Sequence, residues 1–166
     1  MIFFNKKEKD INDQFLNKGY IIKKVESKKS LNFILNLIKN NSNKLIKKKI
    51  KKINLNHFHK NISFNNLNEI RLKLINLINS DNKIKNHYFN LARESVYALC
   101  GNELMMQKKL NLSIQLPNDK TSLLPVHSDV WSGDSAYELN LWIPLVDCYK
   151  TKSMFILKKK YLPYFY

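Results

Sequence analysis

The spacing of hydrophobic residues along this chain changes near residue 100. Up to that point apolar side chains recur every three or four positions, which places them on one face of a helix. Beyond Gly101 they alternate with polar side chains, which is the spacing of a strand with one buried side. The sequence therefore predicts helices in the first 100 residues and strands in the residues that follow.

Four helical segments are predicted in the first part of the chain. A short amphipathic segment ends at Gly19, a residue type that commonly terminates helices. Ser30 is the predicted N-cap of a second helix, whose apolar face includes Ile34 and Ile38. The first segment spans residues 10–19, and the remaining two predicted helices span residues 66–80 and 84–99.

The clearest predicted strand covers residues 110–116. In it, four apolar residues alternate with Asn111, Ser113 and Gln115, so that one side packs on helices and the other faces a cavity or water. Helices followed by strands favour an α+β or jelly-roll arrangement over an alternating α/β sheet. The other strand patterns cover residues 20–25, 123–130, 137–146 and 153–157.

The length and the glycine count limit the function. A chain of 166 residues fits one domain with a substantial core. Its three glycines, Gly19, Gly101 and Gly133, are far apart, and none of them precedes a Lys. A P-loop and a dinucleotide-binding fingerprint both need glycines at close, defined spacing so that the backbone can approach a phosphate. Neither site is present in its standard form.

The cysteine count and the hydropathy indicate the compartment. Cys100 and Cys148 are the only cysteines, too few for a disulfide framework. No run of roughly 18 apolar residues is present, and the N-terminus lacks the basic and apolar regions of a secretory signal. We therefore expect a cytoplasmic protein without a membrane span.

The charge is strongly positive and unevenly distributed. The formal net charge is +16, and residues 1–60 account for +12 of it, which is an argument for a polyanion-binding module. However, 27 of the 29 basic residues are Lys, which lacks the bidentate donor geometry that specific readers of bases and phosphates use. Lys, Asn and Ile also have A/T-rich codons, so biased base composition explains much of the charge. We expect no specific nucleic-acid recognition.

His127 and Asp129 form the most informative pair in the sequence. Because the two residues are two positions apart, their side chains would project to the same side of a strand. An imidazole and a carboxylate placed in this way are two of the three ligands of the 2-His-1-carboxylate site that holds non-haem Fe(II). A hydrogen-bonded His–Asp pair without a metal is the alternative.

The residues around this pair resemble a known family of oxygenases. The similarity covers residues 90–157 and is strongest at residues 125–129 (Pro-Val-His-Ser-Asp), 137–147 and 152–157. These segments are similar to the central part of the Fe(II)/2-oxoglutarate-dependent dioxygenases, in the branch that includes phytanoyl-CoA dioxygenase. Within that branch they most resemble oxygenases encoded in sporadic carbohydrate-biosynthesis clusters.

The resemblance implies a fold, cofactors and a substrate class. The expected fold is α+β, with N-terminal helices packed on a partial double-stranded β-helix, of the jelly-roll or cupin-like kind, that lacks its C-terminal strands. One incomplete domain would span residues 1–166, mostly helical over 1–100, with strands over 101–157 and a divergent tail over 158–166. Fe(II) and 2-oxoglutarate are the implied cofactors. The implied substrate is a carbohydrate or sugar-nucleotide intermediate of surface-polysaccharide biosynthesis.

The resemblance also assigns roles to individual residues. It makes His127 and Asp129 the first two iron ligands. For the other positions, packing within the protein or exposure to solvent is the alternative interpretation. The residues expected near 2-oxoglutarate are Trp142, Asn140, Gln115 and Ser113. Those expected near the substrate, on the loop after the metal pair, are Trp131, Asp134 and Tyr137.

Two residues that the family uses are absent. No His follows His127 and no Arg follows Arg93, so the chain lacks the second His ligand and the cation that binds the 2-oxoglutarate carboxylate. We therefore expect a truncated or frameshifted oxygenase that is inactive as this chain. Two alternatives stay open, namely the Lys-rich polyanion-binding module and a metal-free, cupin-like protein with a sugar-binding or structural role.

Overall fold

Helices account for the regular structure of this chain in the computed structural model, which describes residues 5–46, 53–120 and 123–164. The α-helices are α1 (Lys6–Lys18), α2 (Lys28–Ile46), α3 (Phe64–Asn79), α4 (Ile84–Phe89) and α5 (Arg93–Cys100). Short 3-10 helices span Leu55–Lys60, Asp129–Ser132 and Lys159–Tyr164. No strand is present within these described ranges.

Local signals at both ends define α1. The Asn5 side chain accepts a hydrogen bond from the Glu8 backbone N–H, and the Glu8 side chain accepts one from the Asn5 N–H, which together form a capping box. At the other end Gly19 has a φ of 81°, a left-handed conformation that glycine adopts without a steric penalty. The predicted helix end at Gly19 is confirmed, although α1 begins at Lys6 rather than at residue 10. This helix packs against α5.

Helix α2 packs on both α3 and α4 and so joins the middle of the chain. Its first turn is capped by Ser27 rather than by the predicted Ser30, because the Ser27 hydroxyl accepts a hydrogen bond from the Ser30 backbone N–H at 3.2 Å. Ile34 and Ile38 are buried. Their burial confirms the apolar face that the helical spacing predicted.

The single helix predicted over residues 84–99 is divided into α4 and α5. Between the two helices Leu91 is buried, and its carbonyl accepts a hydrogen bond from the Glu26 backbone N–H at 2.9 Å. The Glu26 carboxylate then accepts hydrogen bonds from the backbone N–H groups of Glu94 and Ser95, at 2.7 and 3.1 Å. A residue far away in the sequence therefore caps the N-terminus of α5.

Replacing Glu26 by Ala is expected to lower the free energy of unfolding by about 1–2 kcal/mol, because the change removes an N-cap and a negative charge from the positive end of α5. Urea unfolding followed by circular dichroism measures this loss. Glu103→Ala, which removes an exposed carboxylate from the loop after α5, is the matched control and should change stability by less than about 0.5 kcal/mol. Equal losses in the two variants would contradict the capping role of Glu26.

Two apolar clusters hold the helices together. Leu112 packs against both of them, so the segment beyond α5 completes the core that the helices begin. The buried residues of the first cluster are Ile34, Ile38, Ile78, Ile84, Leu91 and Leu110. The buried residues of the second cluster are Ile53, Phe58 and Leu74.

The predicted α+β fold, with strands arranged as a partial double-stranded β-helix of the jelly-roll or cupin-like kind, is wrong. The segments predicted as strands form no β-ladder in the structure; they are residues 20–25, 110–116, 123–130, 137–146 and 153–157. The described part of the chain is instead a set of packed helices, on which segments without regular secondary structure lie.

Residues 110–116 show why the pattern predicted a strand. Leu110 and Leu116 are buried, whereas Asn111 and Ser113 are exposed, so the alternation of buried and exposed positions is present. A segment that runs extended over a covered surface has this alternation whether a sheet or a layer of helices covers it. The period-two spacing correctly indicated which side is buried, but it does not reveal what covers that side.

A side chain takes the place of a neighbouring strand at the start of this segment. Asn79 Oδ1 accepts a hydrogen bond from the Leu110 N–H at 2.8 Å, and Asn79 Nδ2 donates one to the Leu110 carbonyl at 2.9 Å. One primary amide therefore satisfies both backbone groups of Leu110, as the opposite residue of an antiparallel strand would. Asn79 is the last residue of α3, so this contact joins the segment to the helices.

Residues 140–147 are held on the helices by apolar packing and by side-chain hydrogen bonds, among them those of Asn56. Ile143 and Leu145 pack against the first cluster. Asn56 Nδ2 donates to Asp147 Oδ2 at 2.8 Å, and Asn56 Oδ1 accepts from the Asp147 N–H at 2.9 Å. The Asn56 amide therefore satisfies one backbone group of this segment, the Asp147 N–H, and holds the Asp147 side chain as well.

Most lysines in α1 and in α2 are exposed, which agrees with a solvated basic surface on that part of the chain. Lys7 forms an ion pair with Glu94 that joins α1 to α5, and the hydrogen bond and charge of Lys7 lower the pKa of the Glu94 carboxyl.

None of the helices in the described ranges combines the length and apolar composition that crossing a membrane requires.

Candidate metal-binding site

The His127 ring is held in one tautomer by the backbone. Its Nδ1 lies 2.7 Å from the Pro125 carbonyl oxygen. A carbonyl oxygen only accepts hydrogen bonds, so Nδ1 carries the proton, and in the neutral ring Nε2 has a free lone pair. Metal-ligating histidines usually donate one ring N–H to a carbonyl or carboxylate in this way, and the other ring nitrogen binds the metal.

The free nitrogen of His127 lies close to a carboxylate. His127 Nε2 and Asp129 Oδ1 are 3.6 Å apart, and the two side chains are 42% and 48% exposed, so an ion in solution can reach both. A lone pair beside a carboxylate is repulsive unless a proton or a cation lies between them. Metal–ligand bonds of about 2.0–2.2 Å place two ligands of one ion about 3–4 Å apart. The separation therefore fits two ligands of a single metal ion.

The local chain brings these two side chains together without a strand. Asp129 opens the 3-10 helix Asp129–Ser132 directly after Ser128, which is extended at φ −119° and ψ 136°. Gly133 ends this turn with a φ of 96°, in the left-handed region that favours glycine. The sequence predicted the proximity of His127 and Asp129 from strand geometry; the proximity is present, whereas the strand is not.

Asn140 completes the hydrogen bonding of the Asp129 carboxylate. Its Nδ2 donates to Asp129 Oδ2, while Oδ1 of the same carboxylate lies beside His127. The two oxygens of Asp129 therefore have separate partners. The resemblance placed Asn140 near 2-oxoglutarate; in the structure it contacts the carboxylate that is the candidate iron ligand.

The other residues expected near 2-oxoglutarate lie on exposed surfaces. Trp142 is partly exposed, two residues after Asn140. Ser113 and Gln115 lie on the outer side of residues 110–116. A cleft of about 500 Å³ lies between the C-terminal end of α2 and the N-terminal end of α3, and none of the predicted site residues lines it.

The three residues expected near the substrate lie on the loop that follows the metal pair. Trp131 is part of the 3-10 helix, and its backbone N–H donates to the Ser128 carbonyl at 2.9 Å. The Asp134 backbone N–H donates to the Asp129 carbonyl at 3.3 Å, and the Tyr137 side chain is exposed. The side chains of all three residues are exposed to solvent.

Within the described ranges the structure does not place a third acidic, His or Cys ligand beside the pair. Among the described residues no group of three or more His, Cys, Asp or Glu side chains could hold a metal ion. The His87 ring stacks on Phe33, with centroids 3.9 Å apart, and its Nδ1 lies 3.1 Å from the Ser30 hydroxyl. His57 and His59 belong to the 3-10 helix Leu55–Lys60.

Two groups that shape the site were not identified in the sequence. The Pro125 carbonyl orients the His127 ring, and the Tyr88 hydroxyl donates a hydrogen bond to the carbonyl of Leu141, the residue after Asn140. Burial raises the pKa of Tyr88, which keeps its hydroxyl protonated as a donor. A backbone acceptor and a Tyr that is distant in sequence leave no local signal in the pattern of residue types.

The chain was compared with protein-family models, with curated proteins and with solved structures, and no match was found in any of the three comparisons.

Proposed function

We propose that His127 and Asp129 bind a divalent transition-metal ion, Fe(II) in the cell, as the protein ligands of a site of the 2-oxoglutarate-oxygenase type that does not turn over in this chain. The observation on which this rests is the arrangement of the pair. The Pro125 carbonyl keeps the proton on Nδ1, and the free Nε2 lies 3.6 Å from the Asp129 carboxylate. An imidazole with an oxygen ligand is a donor set that suits Fe(II).

The chain's own residues would hold and orient the ion. His127 supplies a neutral nitrogen and Asp129 a negative oxygen, and Asn140 keeps the second Asp129 oxygen hydrogen-bonded. Bound iron would supply the activation of dioxygen, with 2-oxoglutarate as the co-substrate that is oxidatively decarboxylated to succinate and carbon dioxide. The exposed loop of Trp131, Asp134 and Tyr137 would meet the substrate, for which we propose a carbohydrate or sugar nucleotide.

A test of metal binding uses Mn(II), which replaces Fe(II) without oxidising and is detected by electron paramagnetic resonance. Wild-type protein should bind one Mn(II), and His127→Ala and Asp129→Ala should each weaken binding about tenfold or more, since even the loss of a residue that only supports a ligand has an effect of that size. His59→Ala is the matched control, because it removes an exposed imidazole elsewhere. Equal affinity in wild type and His127→Ala would contradict the proposal.

The same measurement separates the metal site from polyanion binding. Contacts between lysines and phosphates weaken steeply as ionic strength rises, whereas coordination of Mn(II) by His127 depends much less on salt. Retention of Mn(II) at raised ionic strength, with retention of the effect of His127→Ala, would support the metal site.

Catalytic turnover is measured separately, as the formation of succinate from 2-oxoglutarate. Because the site has two protein ligands rather than three, we expect no succinate above the level of His127→Ala.

A further inference from the structure

We infer that Asn140 is a positioning residue for this metal site and that Tyr88 fixes Asn140 from the helical layer. This inference rests on the proposed metal site at His127 and Asp129. Asn140 would orient the Asp129 carboxylate instead of contacting a cofactor, and Tyr88 would hold the segment that carries Asn140.

The first step is the contact between Asn140 and Asp129. A carboxylate on an exposed turn rotates readily about its side-chain bonds, and a single donor on one oxygen restricts that rotation. The Asn140 amide donates to Oδ2, and Oδ1 is the oxygen that lies 3.6 Å from His127 Nε2. The hydrogen bond therefore selects the carboxylate orientation in which Oδ1 and Nε2 face one ion.

The second step is the position of Asn140 itself. The carbonyl of the next residue, Leu141, accepts a hydrogen bond from Tyr88, and Ile143 packs into the first apolar cluster. Tyr88 is part of α4 and packs against the same cluster. The segment directly after Asn140 is thereby attached, through the Leu141 carbonyl and Ile143, to the buried core, so a helical layer supports an otherwise exposed site.

Substitutions at Asn140 that act in opposite directions test the first step. Asn140→Leu removes the donor at similar volume and should weaken Mn(II) binding about tenfold. Asn140→Asp also removes the donor, but it places beside Asp129 a carboxylate that can itself bind the ion, and this additional anionic ligand should outweigh the lost hydrogen bond and strengthen Mn(II) binding. Asn111→Leu changes an exposed Asn in another segment and is the control. If Asn140 only stabilised the fold, both substitutions would weaken binding alike, and that result would overturn the inference.

A double-mutant cycle tests the second step. Tyr88→Phe keeps the ring in the core and removes the hydrogen bond to Leu141, so Mn(II) affinity should fall severalfold, whereas Tyr149→Phe, at an exposed position, should leave it unchanged. In the Asn140→Leu background Tyr88→Phe should have no further effect, since Tyr88 acts through Asn140. Additive effects of the two changes would contradict this route.

A measurement on the metal-free protein separates this inference from the metal proposal. The side-chain NH₂ resonances of Asn140 in an NMR spectrum should shift in Asp129→Ala and should stay in place in Glu103→Ala, which removes an exposed carboxylate from another segment. If they do not move in Asp129→Ala, the positioning role fails. If they do move but wild-type protein does not bind Mn(II), the contact exists and the proposed metal site is wrong.

Discussion

Leu74→Ala is expected to lower the free energy of unfolding by about 3 kcal/mol. Leu74 has no exposed surface and belongs to the second apolar cluster, with Ile53 and Phe58. Truncation to Ala removes buried methyl and methylene groups and leaves a cavity, and both effects destabilise the folded state. Urea unfolding followed by circular dichroism gives the change directly.

Leu72→Ala is the matched control, because Leu72 belongs to the same helix, α3, and is 51% exposed. Its truncation should change the free energy of unfolding by less than about 1 kcal/mol, since most of its side chain is already in water. A loss for Leu72→Ala as large as that for Leu74→Ala would show that α3 presents a different face to the core.

Asn79→Ala is expected to destabilise the protein by about 2–4 kcal/mol, because it leaves the N–H and the carbonyl of a buried residue, Leu110, without their hydrogen-bond partners. Each unsatisfied buried polar group costs about 1–3 kcal/mol. Leu110 is 5% exposed, so water does not readily replace the lost amide. Hydrogen exchange of the Leu110 amide should accelerate in the variant together with the loss of stability.

Asn76→Ala provides the comparison for this change, because Asn76 is an exposed residue one turn earlier on α3. Ala has a higher helix propensity than Asn, so this variant should be as stable as the wild type or slightly more stable. If Asn79→Ala behaved in the same way, the amide of Asn79 would not be replacing a strand neighbour.

The helical part of the fold was largely predictable from local patterns. Gly19 ends α1 as its residue type indicates, and Ile34 and Ile38 are buried on one face of α2 as their spacing indicates. These features depend on residues within one or two helical turns, so the information is contained in short windows of sequence.

The division between α4 and α5 was not predictable in this way. The apolar spacing continues through Leu91, and the signal that starts α5 is the carboxylate of Glu26, which precedes α5 by more than sixty residues. A helix cap supplied by a residue so far away in the sequence has no counterpart in a local pattern.

The sequence identified the two candidate ligands but not how their side chains are oriented and hydrogen-bonded. Residue types and their spacing identified His127 and Asp129. The tautomer of His127, the partner of each Asp129 oxygen and the role of Tyr88 depend on backbone groups and on contacts between distant segments.

By itself, the sequence determined where the helical faces lie, which side of residues 110–116 is buried, and that an imidazole and a carboxylate lie close together. Only the tertiary structure decided that this buried side rests on helices instead of on a sheet. The physical reason is that an alternating pattern needs a covered surface and partners for its backbone groups, and different elements can supply both. Here the helices supply the surface, and the amide of Asn79 supplies the partners of Leu110.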